Sequence, residues 1–148
     1  MSFEEKSTWI AGFTQLAVGL WYALQIIGKA ATTPISDITY GGELATMIVA
    51  SVVLTVAITI VVAATAGARA ALGGDPIDID RSDERDRTIG RFAGNIGGVV
   101  LAVGMVPALG FAVFEFDHFW IAHSILSAMF LSVLVTDIVK LFAYRRGI

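Results

Sequence analysis

Gln15, Asn95 and Asp137 are polar side chains set inside long apolar runs, each six or seven residues from the nearer end of its run. At helical rise that depth is about 9–10 Å. Thr59 and Thr65 bracket the same depth in another run. Four antiparallel helices would bring these groups to one level, where two chemistries are open. An Asp paired with Asn or Gln can act as interhelical glue, each contact contributing about 0.6–2 kcal/mol. A carboxylate within an apolar run can instead hold a proton or a cation, because such a group is expensive to keep without a task. Lys140, three residues beyond Asp137, either pairs with it or extends its ammonium to the surface. Asp137 lies near a helix end, which favours the structural role.

A second group collects Glu115, Asp117, His118 and His123. Glu115 and His118 have the Glu-x-x-His spacing that sets two ligands on one helical face, but dimetal bundles need that unit twice. His118 and His123 are five apart, about 140° around a helix, so they do not naturally share an ion. These three residues are the candidate metal ligands, with an interfacial acid and histidine cluster the commoner arrangement. His123 and Asp137 share a stripe of the fourth run but stand about 21 Å apart, with only Ser127 polar between them.

The stretch 73–98 holds six of the thirteen acids and four of the ten bases. From Asp78, acids or Ser occupy positions 1, 3, 5, 7 and 9 of a calcium loop, yet Asp83 replaces the central Gly and Ile89 the final Glu. The match fails where geometry matters most. Interleaved arginines make a salt-bridged, solvated surface suited to docking a soluble partner, and six acids disfavour nucleic acid. Ser82 is a candidate N-cap, and Asp83, Glu84, Arg85 and Arg87 read as a short polar helix running on into the next apolar run. No phosphate-binding glycine loop and no Ser/His/Asp set at recognisable spacing occurs.

The elements that position these groups follow from composition. The 148 residues are 56% hydrophobic and 16% charged, with mean hydropathy +0.77. Charge gathers in the central stretch and at the chain ends, as a bilayer-spanning chain requires. Four transmembrane helices are expected at about 9–28, 44–66, 89–114 and 119–143, in one domain over 1–148, with a cytoplasmic loop at 69–88. The second run is rich in β-branched residues, but a strand of 23 residues with open edges is not viable in lipid. The expected fold is therefore all-α, a four-helix up-down bundle. The N-terminus lacks the basic region and cleavage site of a secretory signal, so the first helix is expected to be retained. There is no Cys, which excludes disulfides and thiolate chemistry.

In the third run Gly90, Gly94 and Gly98 recur every four residues and form a flat face for close approach of another backbone. Pro107 should kink that helix. Orientation follows from the bases. Lys6, Arg69, Arg81, Arg85, Arg87, Arg91, Lys140, Arg145 and Arg146 lie on one side, and only Lys29 on the other. By the positive-inside rule both termini and the central loop are cytoplasmic.

The opening S-F-E-E-K-S-T-W, the D-E-R-D-R-x-I at Asp83–Ile89 and the terminal Y-R-R-G together resemble a family of small prokaryotic four-helix integral membrane proteins of unknown function. The resemblance implies a bacterial cytoplasmic membrane and carries over no catalytic residue.

The expected function is that of a small inner-membrane interaction protein, an accessory subunit or regulator. It would act through Gly90, Gly94 and Gly98 in the bilayer and Asp83, Glu84, Arg85 and Arg87 in the cytoplasm, against a membrane protein or a second copy. The alternative is a small oligomeric transporter or channel using the layer of Gln15, Asn95, Asp137 and Lys140. Enzymatic activity and a cofactor are not expected.

Overall fold

The computed structural model describes residues 3–71 and 84–146. Within them the chain is helical: α1 spans Phe3–Ala30, α2 Gly41–Ala71, α3 Glu84–Val113 and α4 His118–Arg146, with a 3-10 turn at Ile35–Asp37. All four α-helices are long and apolar enough to cross a membrane. The 31 residues of α2 reach about 46 Å, well past a hydrocarbon core of about 30 Å. α2 continues to Ala71, and α3 begins at Glu84, within the short polar helix expected to run on into the third span. Ala-rich and mixed-charge sequence keeps its backbone bonds in water as readily as in lipid.

α3 is unbroken from its charged first turn through Pro107. Its C-terminus is a Schellman arrangement. Phe116 N–H donates to Phe111 O at 2.9 Å and Glu115 N–H to Ala112 O at 3.3 Å. Glu115 takes φ 56°, the left-handed position usually given to Gly. The Phe111 and Phe116 rings, 5.2 Å apart, supply the apolar contact that accompanies the motif. Two residues later Asp117 O accepts from Trp120 N–H at 2.9 Å, and α4 is under way.

The closely packed pairs are α3–α4, α1–α4 and α1–α2. Small residues set their separation. A Cβ on Gly104 would lie 2.7 Å from that of Ala128, and one on Gly97 would collide with Thr136 Oγ1. Ser132 Oγ also donates to Gly97 O at 2.8 Å, a bond between helices rather than within one. Along α1, Gly12 lies against Asp137, Gly19 receives the Phe130 ring, and Tyr22 meets His123. The contacts descend α4 as they climb α1.

The buried apolar residues are few, and half of them are alanines: Ala93, Ala108, Ala128 and Ala143. Large apolar side chains point outward instead: Val53, Ile60, Val99, Val103, Val106 and Val113 are each more than half exposed. A water-soluble domain would not hold its bulk outside and its alanines inside. In lipid the arrangement has no such penalty, and small residues let backbones approach.

Candidate functional site

Where α1, α2 and α4 converge lies a cavity of about 420 Å³. α1 contributes Thr8, Ala11, Thr14 and Gln15, α2 contributes Ser51, Thr55, Ile58, Thr59 and Val62, and α4 contributes Val133, Asp137 and Lys140. On each helix most of these fall three or four residues apart, along one helical face. α2 packs on α1 but makes few contacts with α4, so the cavity stays open on that side. Thr55 and Thr59 are exposed there.

The chemistry of the α2 wall is set by its own backbone. Ser51 donates to Met47 O, Thr55 to Ser51 O and Thr59 to Thr55 O, each at 2.8 Å. With their protons committed, these hydroxyls offer only lone pairs to the cavity. Facing them is Asp137, whose Oδ2 is buried without a hydrogen bond. Gly12 lies beside it: a Cβ there would stand 3.7 Å from Oδ2, in ordinary van der Waals contact. Lys140 lines the same cavity, yet no ion pair joins it to Asp137.

Of the expected polar layer, Gln15, Thr59, Asp137 and Lys140 share this cavity, and Asn95 and Thr65 do not. Asn95 is exposed on α3, about 200° around the helix from buried Ala93. Equal depth does not give equal azimuth, and α3 lies beyond α4. Thr65 is exposed and bonded to Val62 O at 2.9 Å. Thr8, Thr14, Ser51 and Thr55 were missed by the depth argument. The i, i+4 run of hydroxyls Ser51, Thr55 and Thr59 was the available signal.

The glycines of α3 divide into two sets. Gly90, Gly94 and Gly98 have nothing within 4 Å of a built Cβ. Gly97 and Gly104 carry the contact with α4 instead. Of the charged group, Glu84, Arg85 and Arg87 are exposed in the first turn of α3. Asp83, Ser82 and the acids Asp75, Asp78 and Asp80 lie outside the described residues.

The candidate metal ligands do not assemble. Glu115 sits in the turn after α3 and His118 opens α4, so the spacing that would pair them on a helix spans a break. His118 is exposed. His123 is engaged at both nitrogens: Nδ1 lies 2.7 Å from Phe119 O and Nε2 lies 3.0 Å from Tyr22 Oη. Since a carbonyl only accepts, Nδ1 carries a proton, and a neutral His123 accepts at Nε2 from the tyrosine hydroxyl. Tyr40 and Phe119 pack on the ring with centroids 5.1 and 4.0 Å away. Among the described residues no group of three or more His, Asp or Glu could hold a metal ion.

At the same end Lys29 Nζ bonds Glu43 Oε1 and Thr39 O, each at 2.6 Å. The base expected to stand alone on that side is therefore neutralised by an acid one loop away.

No family model, curated protein or solved structure matches the chain. Its functional reading rests on its own geometry.

Proposed function

We propose that this is a small multi-pass protein of the bacterial cytoplasmic membrane, an up-down bundle with both termini cytoplasmic. It works by helix association, as an accessory subunit or regulator of a membrane complex. The observation that supports this is the open space beside Gly90, Gly94 and Gly98, on the same helix whose Gly97 and Gly104 are filled by α4. A glycine face left to lipid leaves backbone under-packed, whereas a second helix packs closely on it. Exposed Asn95 flanks Gly94 and has no hydrogen bond within the described residues. An amide is both donor and acceptor, so a second copy of α3 is its natural complement. The charged first turn, Glu84 to Arg87, carries the same helix into the cytoplasm.

Because the chain has no Cys, Gly94→Cys gives a single-thiol probe. Oxidation in native membranes should yield a disulfide-linked dimer, and Gly98→Leu in that background should suppress it. A chain that stays uncrosslinked, and that leaves mild detergent with no membrane partner in its mass spectrum, would remove the reading.

The cavity supports a second reading. An unbonded carboxylate oxygen facing acceptor hydroxyls suits a proton or a small cation, as in an oligomeric transporter or channel. Flux in proteoliposomes should then vanish in Asp137→Asn. If the unmodified protein carries no proton or alkali-cation flux, this alternative is eliminated.

A further inference from the structure

A second cavity, about 350 Å³, lies at the end of α4 against the start of α1. It is lined by Trp9, Ile138, Leu141, Phe142, Arg145 and Arg146. Its lining is almost wholly apolar, and two arginines stand beside it. The guanidinium of Arg145 stacks over the Trp9 ring at 5.7 Å and that of Arg146 over Phe142 at 5.4 Å. Stacking on a ring face leaves the N–H edges of a guanidinium available. Among the described residues no carboxylate pairs with either arginine. Trp9 Nε1 is buried and has no hydrogen-bond partner.

An indole N–H is a donor only, and a guanidinium has five donors and no acceptor. The two guanidiniums therefore present donors and positive charge beside the groove with nothing to receive them. From Ile138 to Arg146 the groove runs eight residues, about 12 Å along α4. That length spans a phosphate, a glycerol and the first part of an acyl chain. Trp9 is the second residue of its candidate span and Arg146 the last of its own, so the groove sits where a chain leaves the hydrocarbon. Trp and Arg both favour that boundary.

We propose that this groove binds an anionic phospholipid. Its phosphate is held by the Arg145 and Arg146 guanidiniums, with an acyl chain on Ile138, Leu141 and Phe142 beside the Trp9 ring. The proposal rests on the membrane placement above but not on α3 association, since the groove belongs to α1 and α4 alone. It is a site of the cytoplasmic-leaflet kind, where basic pockets between helices take anionic headgroups.

The full chain, extracted in mild detergent, tests it by native mass spectrometry and thermal melting against phosphatidylglycerol, phosphatidylcholine and inorganic phosphate. Phosphatidylglycerol should remain bound at lower concentration than phosphatidylcholine and raise the melting temperature. Arg145→Gln and Arg146→Gln should each weaken retention by about tenfold. Lys29→Gln, twenty residues along α1 from Trp9 and at its other end, should leave it unchanged. Equal retention of the two lipids, equal protection by inorganic phosphate, or full retention in the Arg145 and Arg146 variants overturns the proposal. Should a variant not fold, the comparison of lipids on the unmodified chain still decides. Membrane placement is read separately: a chain that leaves cells without detergent contradicts that placement, whatever the lipid result.

Discussion

The hydroxyl of Tyr22 lies 3.0 Å from Nε2 of His123, across 101 residues of chain. It ties α1 to α4 at the end of the molecule opposite to Asp137. Tyr22 is almost fully buried, and the His123 ring is clamped by Phe119 and Tyr40. The bond is therefore an anchor of the bundle, and the histidine a structural one.

Tyr22→Phe keeps the ring and removes the hydroxyl, leaving Nε2 without its donor. A loss of about 0.5–1.5 kcal/mol is expected, which lowers the melting temperature by a few degrees for a chain of this size. Helical circular dichroism followed on heating in detergent measures it. His123→Ala should cost more, because it also empties the aromatic cluster. A melting curve for Tyr22→Phe that overlays the unmodified one would show that the anchor does not form.

Gly97 and Gly94 are three residues apart and should behave oppositely. A methyl at Gly97 meets Thr136 Oγ1, with Ser132 O only 3.0 Å away, so Gly97→Ala should destabilise the protomer by about 1–3 kcal/mol. A methyl at Gly94 meets nothing, and Ala is the better helix former by about 1 kcal/mol. Gly94→Ala should leave the protomer as stable as before or more so, while Gly94→Leu breaks the α3 dimer. Equal destabilisation by the two alanines would refute this division of the helix.

Glu115 holds a left-handed backbone without being glycine. That conformation costs an L-residue about 1–2 kcal/mol, partly offset by the freedom Gly regains on unfolding. Glu115→Gly should thus stabilise the protein by about 0.5–1 kcal/mol and leave association untouched. A fall in melting temperature would mean that the glutamate side chain contributes more than its strain.

Asp137 keeps a buried oxygen unbonded, an arrangement that works against stability. Asp137→Asn replaces the carboxylate with a neutral group of the same shape. The expected result is a protein that melts at a higher temperature, by about 1–3 kcal/mol of added stability, and that has lost flux. If Asp137→Asn instead melts lower, the carboxylate is part of the packing and the transport reading loses its support.

Apolar runs, confined charge and the absence of Cys were enough to specify four helices long enough to cross a bilayer. That is because backbone and charge in lipid have so few permitted solutions. Of the polar residues expected to form one layer, Gln15, Thr59 and Asp137 share one cavity. What a linear count cannot supply is azimuth and neighbour. Asn95 sits at the right depth on the wrong side of α3, and Gly90, Gly94 and Gly98 miss the internal contact that Gly97 and Gly104 make. Facing directions depend on which helices are adjacent, and adjacency is decided by packing between segments distant in the chain, 35 residues for Gly97 and Ser132 and 101 for Tyr22 and His123. The same packing, and nothing local, brought Trp9 to Arg145 and Tyr22 to His123.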